Sequence, residues 1–145
     1  MRFIRAIAVG IVGTVLASAG TNTLGQVVIN EVVKEQRDGL NDGASINPDV
    51  REFIELFNAG TAEVNLSGWT IHQINLTNGV TDLTDTIPSG ALAAGGYFVI
   101  GSAGVPEVDF TPVTGEIFTD VAPRILEIRD SGGTLRDAVA YDVFR

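Results

Sequence analysis

The run Phe53-Ile54-Glu55-Leu56-Phe57-Asn58, followed past Asn58-Ala59-Gly60 by Val64-Asn65-Leu66-Ser67-Gly68-Trp69-Thr70-Ile71, decides the fold. In an extended chain Phe53, Glu55 and Phe57 point one way and Ile54 and Leu56 the other. A short run of this kind reads as a strand. Asn58-Ala59-Gly60 then turns the chain. The second run leads into another strand through Gly68, which permits a bulge or close packing beside the only tryptophan, Trp69. Trp69 is expected to anchor the core rather than to serve as an exposed stacking platform.

The same pattern extends both ways. On the N-terminal side, Val27-Val28-Ile29-Asn30-Glu31-Val32-Val33 is rich in β-branched residues, with Val27, Ile29 and Val33 expected on one face. The polar stretch from Lys34 to Asp49 is expected as a surface loop. On the C-terminal side, Asp85-Thr86-Ile87-Pro88 reads as a short edge strand, and Ala94-Gly95-Gly96 turns into Tyr97-Phe98-Val99-Ile100-Gly101, a buried strand. Ile125-Leu126-Glu127-Ile128-Arg129 alternates, Asp130-Ser131-Gly132-Gly133-Thr134 makes a hairpin turn, and Leu135 to Tyr141 pairs back. The expectation is one all-β domain over 27–145, a sandwich of about seven to nine short strands. The absence of any period of 20–50 residues argues against a solenoid or propeller.

The first 19 residues read differently. Met1 to Arg5 is basic, Ala6 to Ala19 is apolar and uncharged, and Ala17-Ser18-Ala19 places small residues at both cleavage positions. These are the three parts of a secretory signal, an apolar helix removed after export. Cleavage is expected after Ala19, with a second cut available after Gly25. An uncleaved anchor fits less well: Thr21, Asn22 and Thr23 interrupt an apolar run shorter than the ~20 residues a spanning helix needs. The sequence thus predicts a secreted, cell-surface or periplasmic protein with no stable membrane insertion after cleavage.

Composition narrows the chemistry. The chain has 145 residues, 45% of them hydrophobic, enough for one core without staples. Without cysteine it can form no disulfide, thiolate nucleophile, zinc knuckle or lipid-modified cysteine. The net charge of −9 becomes −11 once Arg2 and Arg5 leave with the signal. Such a surface repels phosphate backbones, so no nucleic-acid partner is expected.

Catalytic readings fare poorly. His72, the only histidine, lies within a predicted strand, and no G-x-S-x-G elbow, phosphate loop or dinucleotide fingerprint occurs. Glu52 and Glu55 fall on opposite strand faces, which argues against a glycosidase pair. No catalytic or cofactor-binding residue is therefore assigned. A calcium ion is the one candidate: Asp38, Asn41, Asp42 and Asp49 lie in an oxygen-rich loop. Leu40 occupies the third ligand position of an EF-hand and Asp49 replaces the bidentate Glu, so an ordinary turn-rich loop competes with the site. Glu31, Glu52 and Glu55 form a second acidic group, expected to cap turns or to pair with Arg51, Arg124 or Arg129. Asn65-Leu66-Ser67 and Asn75-Leu76-Thr77 match the glycosylation acceptor and are expected to be unused in a bacterial protein.

Taken in order, Ile29-Asn30-Glu31-Val32, Ile54-Glu55-Leu56-Phe57-Asn58, Leu66-Ser67-Gly68-Trp69, Gly95-Gly96-Tyr97-Phe98-Val99-Ile100 and Leu126-Glu127-Ile128-Arg129-Asp130 resemble the lamin-tail domain in its bacterial, secreted form. The resemblance runs from Val28 to Tyr141 and implies an immunoglobulin-like sandwich. It also implies a non-catalytic module for binding or scaffolding a protein or cell-envelope polymer. The alternative it leaves is an accessory domain, possibly as a fragment, of an exported hydrolase such as a nuclease or phosphatase. The DNA binding of some animal lamins is not carried over, because this acidic chain lacks the basic face it requires.

Overall fold

A period-two alternation with a buried side marks residues 53–58, 70–75 and 124–129 in the computed structural model, which describes residues 27–34, 52–113, 117–118 and 123–141. The strands are β1 (Val27–Val33), β2 (Phe53–Asn58), β3 (Val64–Asn65), β4 (Thr70–Asn75), β5 (Thr81–Thr86), β6 (Ala91–Leu92), β7 (Tyr97–Gly101), β8 (Arg124–Arg129) and β9 (Leu135–Tyr141). They form three sheets, ordered β1-β2-β7, β5-β4-β8-β9 and β3-β6, with every named pair antiparallel. Among the described residues there is no helix. The signal segment at 1–19 and the loop carrying Asp38, Asn41, Asp42 and Asp49 lie outside the described residues.

One core joins the sheets. Ile54, Leu56, Phe98 and Ile100 come from the three-stranded sheet, and Ile71, Leu126 and Ile128 from the four-stranded one. Leu66, Ile87 and Leu92 fill the end beside β3 and β6, and Trp69 lies in the same cluster, 4% exposed. Burying one such Ile or Leu side chain stabilises by about 1.5–3 kcal/mol. Gly68 sits at φ +78°, a conformation that disfavours L side chains, and a Cβ there would approach Ser131 Cβ at 3.3 Å. The turn into Trp69 therefore requires glycine, as the sequence suggested.

Two elements differ from expectation. β5 occupies Thr81–Thr86 rather than residues 85–88. As an edge strand it needs little apolar content, and its Thr and Asp residues hid it. In β1 the pairing slips between Ile29 and Glu31, so Val27 and Ile29 share the core face as expected but Val33 does not join them. The slip leaves Asn30 as a bulge. Ile29 and Val32 then pack on the core, while Val33, opposite Phe53, turns outward.

Candidate functional site

The outward face of the β1-β2-β7 sheet gathers the most unusual surface. Pairing places Val28, Phe57 and Tyr97 in one cross-strand row and Glu31, Glu55 and Val99 in the next. None of the apolar side chains in these rows joins the core cluster. Tyr97 is 57% exposed, and its ring lies 5.0 Å from that of Phe57, tilted by 36°. Beside this pair, Glu31 stands directly opposite Glu55, and Asn30 Nδ2 donates to Glu55 Oε1 at 2.6 Å. Opposed like charges on a sheet repel.

Glu52 does not belong with them. It is 3% exposed, and its carboxylate accepts the amide of Phe118 at 3.2 Å. Glu52 and Glu55 are three positions apart, an odd offset, so an extended chain sends them to opposite faces. Arg51, an expected partner of these glutamates, lies outside the described residues. Arg124 pairs with Asp82 at 2.6 Å, Arg129 with Glu127 at 2.7 Å and Arg136 with Asp130 at 2.7 Å.

Polar residues that the sequence reading passed over are buried in the structure. Gln73 is 1% exposed; its amide donates to Ile117 O, and its Oε1 accepts the Tyr141 hydroxyl at 2.7 Å. The Phe118 ring meets Tyr141 edge-on at 5.4 Å, and Lys34 Nζ lies 5.6 Å from the Tyr141 ring centre. Asn58, fully buried, donates to Ala62 O and Leu92 O and accepts the Gly60 amide. A signal did exist: Gln73 follows Ile71 on the inward side of β4, where the pattern calls for an apolar residue. These bonds fasten loops to the sandwich, and a satisfied network of this kind serves to specify a core.

His72 sits on the outward side of β4, in register with Thr84 and Glu127. Its Nε2 lies 2.9 Å from Thr70 Oγ1 and its Nδ1 3.4 Å from Thr84 Oγ1. Burial, then the Arg129 charge, pushes its pKa down, with Glu127 opposing. The row superficially holds a hydroxyl, an imidazole and a carboxylate. However, Glu127 Oε2 is held by Nε and Nη2 of Arg129 at 2.9 and 2.7 Å, so the imidazole lacks the orienting carboxylate bond of a catalytic triad. Asn65 and Asn75 both accept amides two residues on, from Ser67 and Thr77, as ordinary Asx turns. Among the described residues no group of three or more His, Cys, Asp or Glu could hold a metal ion. No described helix is long and apolar enough to cross a membrane.

The family model for the Lamin Tail Domain matches residues 21–142. The chain belongs to the lamin tail domain family. No curated protein matches it. The lamin tail assignment spans every described strand, and it agrees with the immunoglobulin-like sandwich built by the two larger sheets. Within this lamin tail domain, Asn58 and Gln73 hold loops to the sandwich, and the outward face of the three-stranded sheet carries the Phe57–Tyr97 pair outside the core.

Proposed function

We propose that this lamin tail domain is a non-catalytic, exported module that binds a protein or a cell-envelope polymer. One observation carries the reading. The Phe57–Tyr97 pair lies on an outward sheet face, apart from the core, with Tyr97 more than half exposed. Aromatic side chains contribute much of the energy at recognition surfaces, because they bury large area with little loss of conformational freedom. The tripartite N-terminal segment supports export. The net charge of −9 favours solubility and neutral or basic partners.

The test is capture by the purified protein from secreted proteins and from soluble envelope polymers, with and without calcium. Saturable capture that weakens in Tyr97→Ser supports binding through this face. Retention of nothing by the wild-type protein under either condition would remove the binding reading. A melting temperature that calcium leaves unchanged would remove the ion site expected at Asp38, Asn41, Asp42 and Asp49.

A further inference from the structure

Glu31 and Glu55 oppose each other beside an aromatic pair, and among the described residues no cation neutralises them. Among the described residues neither carboxylate has a basic partner, and Glu55 accepts only from the Asn30 amide. The described cations are engaged elsewhere: Arg124 with Asp82, Arg129 with Glu127, Arg136 with Asp130, and Lys34 against Tyr141. Two carboxylates directly across an antiparallel pair destabilise the sheet that carries them. A positive group placed between them would remove that repulsion. The neighbouring row, with Phe57 and Tyr97, offers apolar contact and an aromatic face to which a cation is also attracted.

We infer that the outward face of the β1-β2-β7 sheet docks a protein segment carrying lysine or arginine flanked by apolar side chains, with the cation seated at Glu31 and Glu55. The inference rests on the binding function proposed above and names its partner class. Charge complementarity selects this occupant. A second copy of this chain would bring its own Glu31 and Glu55 toward a surface that is already negative. A neutral glycan would leave the opposed carboxylates uncompensated. The geometry also fixes the spacing. Successive outward residues of β2, Phe57 and Glu55, are two apart, about 7 Å along the strand. An extended partner matches it with apolar and basic residues two apart.

The experiment titrates the purified protein with a synthetic peptide of three leucine-serine-lysine-serine repeats. The same peptide with glutamate for lysine is the control. Amide shifts are followed by nuclear magnetic resonance, and separate arms use soluble envelope glycan and protein concentration alone. The expected result is binding that shifts the amides of Val28, Glu31, Glu55, Phe57, Tyr97 and Val99. It weakens by about tenfold or more in the Glu31→Gln/Glu55→Gln protein and is largely lost in about 1 M salt, where charges are screened beyond ~3 Å. Both glutamines sit on the solvent side, so the variant stays folded, and Glu63→Gln, exposed elsewhere, leaves binding unchanged. Equal binding of the glutamate peptide, undiminished binding by the double variant, shifts mapping elsewhere, or a response only to glycan or to self-association would overturn the inference. If a captured partner depends on Tyr97 but not on Glu31 and Glu55, the docking charge is wrong while the binding function stands.

Discussion

The backbone amide of Ile29 donates to Asp137 Oδ2 at 2.8 Å, tying the first strand to the last across 108 residues of sequence. β1 is an edge of its sheet and β9 an edge of the other, so this bond fastens the two layers along one side. It also occupies an edge amide that would otherwise stay open for pairing. Removing the carboxylate in Asp137→Ala leaves a part-buried N–H without its acceptor, at a cost of about 1–3 kcal/mol. Asp137→Asn keeps an acceptor oxygen and is expected to lose less. Urea unfolding checks both, with the midpoint moving and the slope unchanged.

Asn58 is the second fastening. Its side chain spans from the end of β2 to Ala62 O at 2.8 Å and Leu92 O at 3.0 Å, holding the small β3-β6 sheet to the core. Asn58→Ala strands two carbonyls and the Gly60 amide, and is expected to cost about 3 kcal/mol. Asn58→Asp is expected to be worse, because a carboxylate cannot donate to either carbonyl and would be buried charged. Thermal unfolding ranks them, and an Asp variant more stable than the Ala variant would contradict the donor role.

The opposition of Glu31 and Glu55 gives a stabilising substitution. Glu31→Lys replaces repulsion by a cross-strand ion pair on the solvent face, an expected gain of about 0.2–1 kcal/mol. The gain should shrink in high salt, because the pair is exposed. A loss of stability at low salt would mean that Glu31 has a partner beyond its cross-strand neighbour.

These residues also show how far the sequence could be read. The strands around Ile54, Ile71 and Leu126 were legible from their two-residue period, and the one around Ile100 from its short length and the flanking Gly95-Gly96 turn. β5 was misplaced because edge position, rather than hydrophobicity, makes Thr81–Thr86 a strand. The bulge at Asn30 left no signal, since a single slipped residue looks like continued β-propensity. The facing of Glu31 and Glu55 was foreseeable from neighbouring strands. The burial of Asn58 and Arg124 was not, because it depends on partners that only the tertiary structure brings in, Leu92 and Asp82. The apolar outward face remained hidden for a related reason: Phe53 and Phe57 look like core residues until the register is known.

The β8–β9 turn carries a pH dependence. Asp130 Oδ1 accepts the amides of Gly132 and Thr134, both at 2.9 Å, and Oδ2 accepts from Arg136. The Thr134 amide above all, against the opposing effect of desolvation and with help from the Arg136 side chain and the Gly132 amide, holds the carboxyl below its ordinary 3.8. A depressed acid stabilises the fold at pH above 3.8, and that contribution disappears as pH falls through the lower folded value. Asp130→Asn should therefore melt below the wild-type protein at neutral pH, with the gap closing in acid. A gap that persists in strong acid would assign the loss to the turn's shape instead of its charge.

Asp85 should behave in the opposite sense. It lies on β5, in the inward row Asp85, Ile71, Ile128 and Asp137, so both edge strands of the four-stranded sheet turn an aspartate toward the core. Asp137 is bonded to Ile29, whereas Asp85 has no hydrogen bond or ion pair among the described residues. Burial pushes its pKa above 3.8. A raised acid destabilises the fold when ionised, so the penalty is complete above the folded value and is relieved as pH falls toward 3.8. Asp85→Asn should raise the melting temperature at neutral pH and lose its advantage on acidification. An inward charge on an edge strand discourages pairing with another molecule, which explains retaining a destabilising residue there. Asp85→Val should then be more stable still yet scatter light on heating, because its edge is no longer guarded. A Val variant that melts higher and remains monomeric by sedimentation would show that Asp85 does not protect the edge.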